Sequence, residues 1–393
     1  MDYDIVICGG GLVGRSLACA LAKLPLRIAI VEALSPQITH QADFDTRSFA
    51  LSYGNVLFLE RIGVWEYLAD SAVPIKTIHV SDRGHSGITR LKASEQRVPA
   101  LGYITLAPDL NQALQQTLLQ YPNITLLCPA TVTAIDYTAS EAILSIQQSQ
   151  QSYPIRTQLA IAADGTHSTL RQLLKIPVKQ YNYDQTAIIA NIGLTRSHHN
   201  VAYERFTQQG PIALLPLSEQ RCGLVWTLKS EQVARVMDLT DEQFLTELQL
   251  AFGYRLGRFA RVGKRFAYPL QLWQAQQLTK SRVALIGNAA HTLHPIAGQG
   301  FNLGLRDVAA LAALLEQALI QGDDLGSKII LDRYKHQQTQ DHRHYIRFTD
   351  GLVKLFTNSL WPIELARNIG LQTLNVIPRL KKKLTRKAMG LAL

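Results

Sequence analysis

The stretch ALIGNAAHTLHPIAGQGFNLGLRDV, residues 284–308, is dense in small residues and turn formers, with no Ser/His/Asp set, no metal-type cluster and no lysine. A loop of this composition presses backbone against a flat ligand and leaves the reactive group to something bound. Gly287, Pro295, Gly298 and Gly300 shape a path that ends at the N-terminus of a helix beginning near Asn302, and a helix N-terminus stabilises an adjacent anion. His291 and His294 are the candidates for proton handling, although an imidazole packed in a Gly/Pro loop is more often structural.

A second constellation stands at the start of the chain. Gly9-Gly10-Gly11-Leu12-Val13-Gly14 fits GxGxxG between the strand-like run YDIVICGG and the helically spaced GLVGRSLACALAKL. Gly9 permits the tight turn, Gly11 lets the backbone approach a pyrophosphate, and Gly14 allows close helix packing, with the phosphates at the positive helix end. Glu32, 18 residues past Gly14 at the end of the next strand, is placed to accept hydrogen bonds from an adenosine ribose. An acid there favours an unphosphorylated ribose, so FAD or NAD, and not NADP, is held. A third segment, AADGTHSTLR at 162–171, ends a buried strand at Asp164-Gly165 and opens a polar helix; alone it reads equally well as a capped strand–helix junction. Taken with the late loop, whose helix end suits the negatively charged N1–C2 edge of a reduced flavin, it points to a bound cofactor as the reactive group.

These pieces need a scaffold. The N-terminal βαβ unit is followed by helical patterns at 55–70 and 109–120, and by short strands and turns over 124–165 that include the Gln/Ser-rich hairpin or loop SIQQSQQS. Between 180 and 270 the pieces QTAIIANIGL, NVAYERFT, GPIALLPL and CGLVWTL read as a separate sheet, with one helical insert near 240–251. At 282 RVALIGNAAH returns to the first style, and LGLRDVAALAALLEQAL is a long Ala/Leu helix. The fold class is α/β with α+β character: a Rossmann-like domain interrupted by a β-sheet substrate domain, with a helical C-terminus. The expected division gives 1–75, 106–178 and 276–345 to the dinucleotide-binding domain, 76–105 and 179–275 to the substrate domain, and 346–393 to a C-terminal helical region with a basic tail.

Bulk properties bound the rest. A chain of 393 residues, 47% hydrophobic, can bury a sizeable core. Its four cysteines, Cys8, Cys19, Cys128 and Cys222, are scattered without metal-type spacing, which fits a reducing compartment, and the cytoplasm is the expected location. The first apolar run lacks a basic leader and reads as a strand, not a signal peptide, and no apolar run reaches the roughly 18 residues of a spanning helix. Of the formal +10 charge, residues 365–393 carry seven basic side chains and no acid, leaving 33 basic against 30 acidic side chains before them. The segment IPRLKKKLTRKAMGLAL interleaves leucines with cations, as an interfacial helix or phosphate-binding patch would. A solvated helix end reads equally well. No stacking or groove-reading motif accompanies the charge, which argues against nucleic acid.

GxGxxG at the start, ADGTHSTLR in the middle and GNAAHTLHPIAGQGFNLGLRDV late in the chain resemble the three fingerprints of the single-component FAD-dependent aromatic hydroxylases, whose fold is that of para-hydroxybenzoate hydroxylase. FDTRSFALS, GVWEYLAD, HVSDRGHSGITRL, YERFTQQGPIALLPL and RNIGL are similar to the ubiquinone-biosynthesis hydroxylases, in particular those acting on 2-polyprenyl-6-methoxyphenol. The resemblance implies an FAD monooxygenase that converts such a polyprenylated phenol to the 1,4-benzoquinol with molecular oxygen, through a flavin 4a-hydroperoxide. No second dinucleotide fingerprint is visible, so NAD(P)H would bind transiently as reductant. By the same resemblance Glu32 holds the ribose, Arg47 lies near the flavin or pyrophosphate, Val132 touches the adenine, Asp164 and Gly165 serve the pyrophosphate, and Asn288 meets the ribityl chain, with the late-loop positions Pro295, Gly298, Gly300 and Asn302 around the flavin. No catalytic acid or base and no metal ligand is assigned. Two departures stand out: much of the wider family has Asp where this chain has Asn288, and often Arg near Ala107. The asparagine oxygen still accepts a hydroxyl hydrogen bond. A hydroxylase or reductase of another hydrophobic substrate, and a non-catalytic scaffold that keeps flavin motifs, are the alternatives. The basic tail is expected to contact the inner face of a membrane peripherally, or a ubiquinone-biosynthesis complex.

Overall fold

The computed structural model describes residues 1–35, 44–85, 87–292, 299–357 and 377–391. Pro295, Gly298 and His294 therefore lie outside the described residues. The strand Tyr3–Cys8 sits at the centre of the first sheet, in parallel register with Ile28–Val31 on one side and Gln151–Ala162 on the other. Ile124–Leu127 extends the sheet beyond Ile28–Val31, and Val283–Leu285 beyond Gln151–Ala162, both parallel. Ile5, Val6, Ile7, Ile28 and Ala29 are fully buried; successive residues of one strand are all buried, so both faces of the parallel sheet are covered and the strands read as unbroken apolar runs. The helices Leu12–Leu21, Ala107–Leu118 and Gln299–Gln321 pack together on this sheet. Antiparallel strands Thr131–Tyr137 and Ala142–Gln148 continue it, and SIQQSQQS forms the hairpin into Gln151–Ala162.

Among the described residues the second sheet has nine strands and is mostly antiparallel. Val178–Leu194, Arg221–Lys229, Pro211–Leu217 and Val201–Phe206 lie side by side, and Thr77–Asp82 with Ile88–Lys92 complete one end. Period-two alternation gives this sheet two different faces. One buries Ile188, Ala190, Leu214, Leu224 and Trp226 against Val236 of the helix Ser230–Met237 and Phe244, Leu248 and Phe252 of the helix Asp241–Phe252. The opposite face turns toward the first domain. There a small sheet of Ser48–Ser52, Gly102–Leu106 and Val73–Ile75 roofs it, and Ala50, Ile75 and Ile104 pack on Ala202 and Leu217.

Four elements depart from the pattern read in the sequence. The single helix expected over 55–70 is a helix Tyr53–Arg61 and a 3₁₀ turn Trp65–Tyr67, separated at Gly63, whose φ of +76° leaves the helical region. The middle block carries an additional helix, Ser230–Met237, before the one expected near 240–251. The late helix starts at Gln299, ahead of Asn302, and a helix Lys328–Thr357 runs across residue 346, the expected start of the C-terminal region.

The basic tail forms the helix Pro378–Ala388, which packs against the helix Ala93–Gln96. The Lys381 ammonium pairs with Glu95 at 2.9 Å, and Met389 is buried beside Leu91, Ala93 and Leu101. Among the described residues no helix is long and apolar enough to cross a membrane.

Candidate functional site

The two sheets enclose a cavity of about 1010 Å³ that Gly11, Asp164, Asn288 and Gly300 line on one side and Ile189, Val225, Phe266 and Tyr268 on the other. Its dinucleotide side is built by close backbone approach. Gly9 has φ +109°, and a Cβ added there would lie 2.5 Å from the Ala163 carbonyl oxygen. A Cβ on Gly14 would run into the Gly9 carbonyl. Those two glycines serve the protein's own packing. Gly11, Gly165 and Gly300 differ: each lines the cavity, and among the described residues a Cβ there would meet no protein atom within 4 Å, although Gly165 also needs glycine for its φ of +85°. Space for side chains has been kept open at three points around one cavity.

Polar groups converge on the same place. The Glu32 carboxylate accepts from the Gly10 N–H at 2.6 Å and from the Leu34 N–H at 2.8 Å, so it sits beside the glycine turn. Asp164 accepts from the Leu170 N–H at 3.1 Å through Oδ2, while its buried Oδ1 has no hydrogen-bond partner. A buried carboxylate oxygen left unpaired at a cavity wall is costly unless a ligand donates to it. Asn288 is exposed in the cavity, and Arg47 also lines it, with its guanidinium 5.1 Å from the centre of the Phe49 ring. The open glycines, the orphaned Asp164 oxygen and the glycine turn at a helix N-terminus fit FAD.

The structure also shows what joins the middle motif to the late loop. Arg171 donates to the Ala289 carbonyl at 2.9 Å and to the Thr166 carbonyl at 2.7 Å, and the Thr166 and Thr292 hydroxyls are 2.9 Å apart. Ser168 caps the short helix by accepting from the Arg171 N–H. The strand His291–Thr292 pairs with Phe266–Ala275, so the late loop is stitched to the substrate sheet as well.

The sequence candidates Val132 and Asn302 are not among the residues that line this cavity. Val132 is buried in the strand Thr131–Tyr137, opposite Ile146 where the register shifts. The Asn302 side chain is a strut: its oxygen accepts from the Ser52 N–H and from Asn55, both at 2.8 Å, and its amide donates to the Ala50 carbonyl at 2.7 Å.

His291 belongs to a buried group that sequence reading missed. Its Nε2 is 2.7 Å from Asp307 Oδ2, His342 Nε2 is 2.6 Å from Asp307 Oδ1, and the Gly287 N–H donates to Oδ2 at 2.9 Å. Asp307 is fully buried. Burial by itself would raise its carboxyl, but the imidazoles of His342 and His291 hold it below the usual carboxylate range. Burial lowers His291, against the pull of Asp307. These three side chains carry donor atoms close enough together to hold a metal ion, and their contacts in this structure have hydrogen-bond lengths. The signal available in the sequence was Asp307 itself, which falls between Leu303 and Leu311 in the fully buried stripe of its helix.

The family described as an FAD binding domain matches residues 2–349. Ubiquinone hydroxylase UbiL of Rhodospirillum rubrum is 38% identical over 98% of this chain and 89% of its own length. The 3-demethoxyubiquinol 3-hydroxylase of Escherichia coli is 31% identical over 99% of this chain and 98% of its own length. Among solved structures, p-nitrophenol 4-monooxygenase PnpA of Pseudomonas putida superposes with a TM-score of 0.80 at 18% identity, covering 98% of each chain, a likeness of fold. The chain belongs to the FAD-binding-domain family and, within it, to the flavin monooxygenases that include the ubiquinone hydroxylases.

Proposed function

We propose that the protein hydroxylates a polyprenylated phenol, 2-polyprenyl-6-methoxyphenol, to the 1,4-benzoquinol in ubiquinone biosynthesis, using FAD, NAD(P)H and molecular oxygen. The observation that supports this most is the single cavity in which dinucleotide-binding glycines meet a wall of Phe266, Tyr268, Trp273 and Phe301. Relatives named for ubiquinone precursors over nearly their full length supply the substrate class.

FAD, when bound, supplies the reductive activation of oxygen and the oxygen atom delivered to the ring. The chain's own residues do the rest. Gly11 and Gly165 let the backbone approach the pyrophosphate, Glu32 accepts from the ribose, and Asp164 Oδ1 accepts a donor it otherwise lacks. Val132 stands toward the adenine and Arg47 toward the phosphates, while the Asn288 side-chain oxygen accepts from a ribityl hydroxyl. The N-terminus of the helix Gln299–Gln321 favours the negative charge of the reduced cofactor. Phe49, Phe301 and Trp273 exclude water around the cofactor, and the substrate ring is already activated at the position para to its hydroxyl, so few acid/base groups are required.

The exposed cations Lys382, Lys383 and Arg386 and the half-exposed Leu380 suit a peripheral contact with the cytoplasmic face of an anionic membrane, where an isoprenoid substrate resides. Purified protein tests the central reading. It should be yellow and consume NAD(P)H faster when a polyprenylated phenol is added, with a benzoquinol as product by mass spectrometry. A flavoprotein whose NAD(P)H consumption no such phenol stimulates would refute it.

A further inference from the structure

We propose that Glu204 is the polar anchor of the substrate ring: its carboxylate accepts the hydrogen bond of the ring hydroxyl and takes that proton as the ring is hydroxylated. The proposal rests on the phenolic substrate class given above. It begins with register. Glu204 pairs across strands with Ala213, Ala213 with Val225, Val225 with Ile189, and Ile189 with Phe266. Residues directly opposed in antiparallel strands share a face, and Phe266, Ile189 and Val225 line the cavity. The same row continues on that face to Glu204, two strands and about 10 Å past Val225 at ordinary strand spacing and beyond the residues that line the cavity. Its neighbours Tyr203 and Arg205 point to the opposite face, where the Tyr203 ring packs on Phe252 at 5.6 Å.

Nothing in the protein explains a carboxylate at this position. Val80 and Ala213 flank it across the strands, Thr89 lies beyond Val80, and Ala202 and Phe206 stand two residues away on its own strand. The roof over that face is the apolar cluster of Ala50, Ile75 and Ile104. Among the described residues its carboxylate has no hydrogen bond or ion pair. Glu204 is half-buried at this position. Burial raises its carboxyl to about 7, and no charged neighbour contributes. An unpaired carboxyl with a perturbed pKa in an apolar setting is costly to the fold and is a mark of a functional group.

The chemistry closes around it. As the ring carbon para to the hydroxyl bonds to the incoming oxygen, the phenolic O–H breaks and its proton passes to Glu204. The oxygen–oxygen bond of the reduced dioxygen breaks, and the second oxygen leaves as water. The ring has lost two electrons to oxygen, and NAD(P)H supplies the two that balance the reaction. The resulting dienone sheds its ring hydrogen as a proton, and Glu204 returns its own proton to the restored phenolate.

The test uses the FAD-loaded protein with a short-chain 2-prenyl-6-methoxyphenol. Binding is read from the perturbation of the flavin absorbance, and coupling from the benzoquinol formed against the hydrogen peroxide released. Glu204→Gln keeps an acceptor but cannot take the proton. It should bind the phenol within about fivefold of wild type while product formation falls about 10²-fold, the scale of a lost general base, and peroxide makes up the difference. Product formation in wild type should rise as pH passes about 7 and be flat in Glu204→Gln, with Glu204→Asp restoring part of the activity. Wild-type coupling in both Glu204→Gln and Glu204→Ala overturns the assignment while leaving the substrate reading intact. No product from wild type with any polyprenylated phenol overturns the substrate reading and this inference with it. If the variants lose FAD, wild type alone decides: the methyl ether, which cannot donate a hydrogen bond, should bind at least about tenfold more weakly than the phenol, and equal binding overturns the proposal.

Discussion

The cavity around Gly11 can be tested by adding an isopropyl group. Because a Cβ at this position meets no protein atom within 4 Å, Gly11→Val should fold normally and fill the space kept for pyrophosphate. Its flavin content should fall at least about tenfold, a loss of about 1.4 kcal/mol or more, while its circular dichroism is unchanged; near-stoichiometric FAD would contradict the assignment. Asp307 makes the opposite kind of prediction, about the protein without ligand. Asp307→Asn replaces an acceptor of three hydrogen bonds with a group that must present donors to imidazole, and should cost about 3–5 kcal/mol on the scale of a broken buried pair, read by chemical denaturation. The pH dependence follows from the two shifts. His291 is lowered in the fold, so its contribution is full above the unfolded value of about 6.5 and is lost as pH falls toward its folded value. Asp307, also lowered, contributes above about 3.9 and loses that contribution only in strong acid. Both act in one direction, so the thermal midpoint should drop as pH goes from 7.5 to 5.5, less steeply in His291→Gln. A midpoint that rises on acidification would contradict this. The glycines and Glu32 were legible because a turn, a helix and a strand end fix their spacing locally. Asp307, His342 and Glu204 were not, since their meaning depends on a helix 35 residues further on and on cross-strand register.

At the scale of elements, periodicity located most helices and strands, and what it missed had local causes. A glycine at positive φ split one helix, and SEQVARVM, polar on all but one narrow stripe, gave too short an apolar pattern to read as helix. The terminal helix is where structure most changes a prediction. The tail's seven cations read as an interfacial helix, a phosphate-binding patch or a solvated helix end; Lys381 is committed to Glu95, and Lys382, Lys383 and Arg386 are among those left exposed. Changing those three to Gln should weaken sedimentation with anionic liposomes at low salt, each cation being worth about 1 kcal/mol near such a surface. Lys381→Gln should leave that binding nearly intact and instead loosen the helix from Ala93–Gln96, seen as faster hydrogen exchange at Thr385–Met389. If wild type fails to sediment at low salt, direct membrane attraction is wrong and a protein partner takes its place.

At the scale of the whole molecule, the order of strands in the first sheet matters beyond the site it supports. The strand Tyr3–Cys8 is bordered by Gln151–Ala162, which is itself bordered by Val283–Leu285. FAD joins parts of the chain just as distant, so saturation at about 100 times its Kd should add about 2.7 kcal/mol to stability, visible as a higher thermal midpoint in the yellow form. The same arrangement imposes a schedule on synthesis. At about 5–20 residues per second, the segment carrying Val283 follows Ala162 by roughly 6–24 s, and throughout that interval the strand Gln151–Ala162 waits with one flank open. Production at lower temperature with riboflavin in the medium should therefore raise the yield of native protein more than any change to the exposed surface.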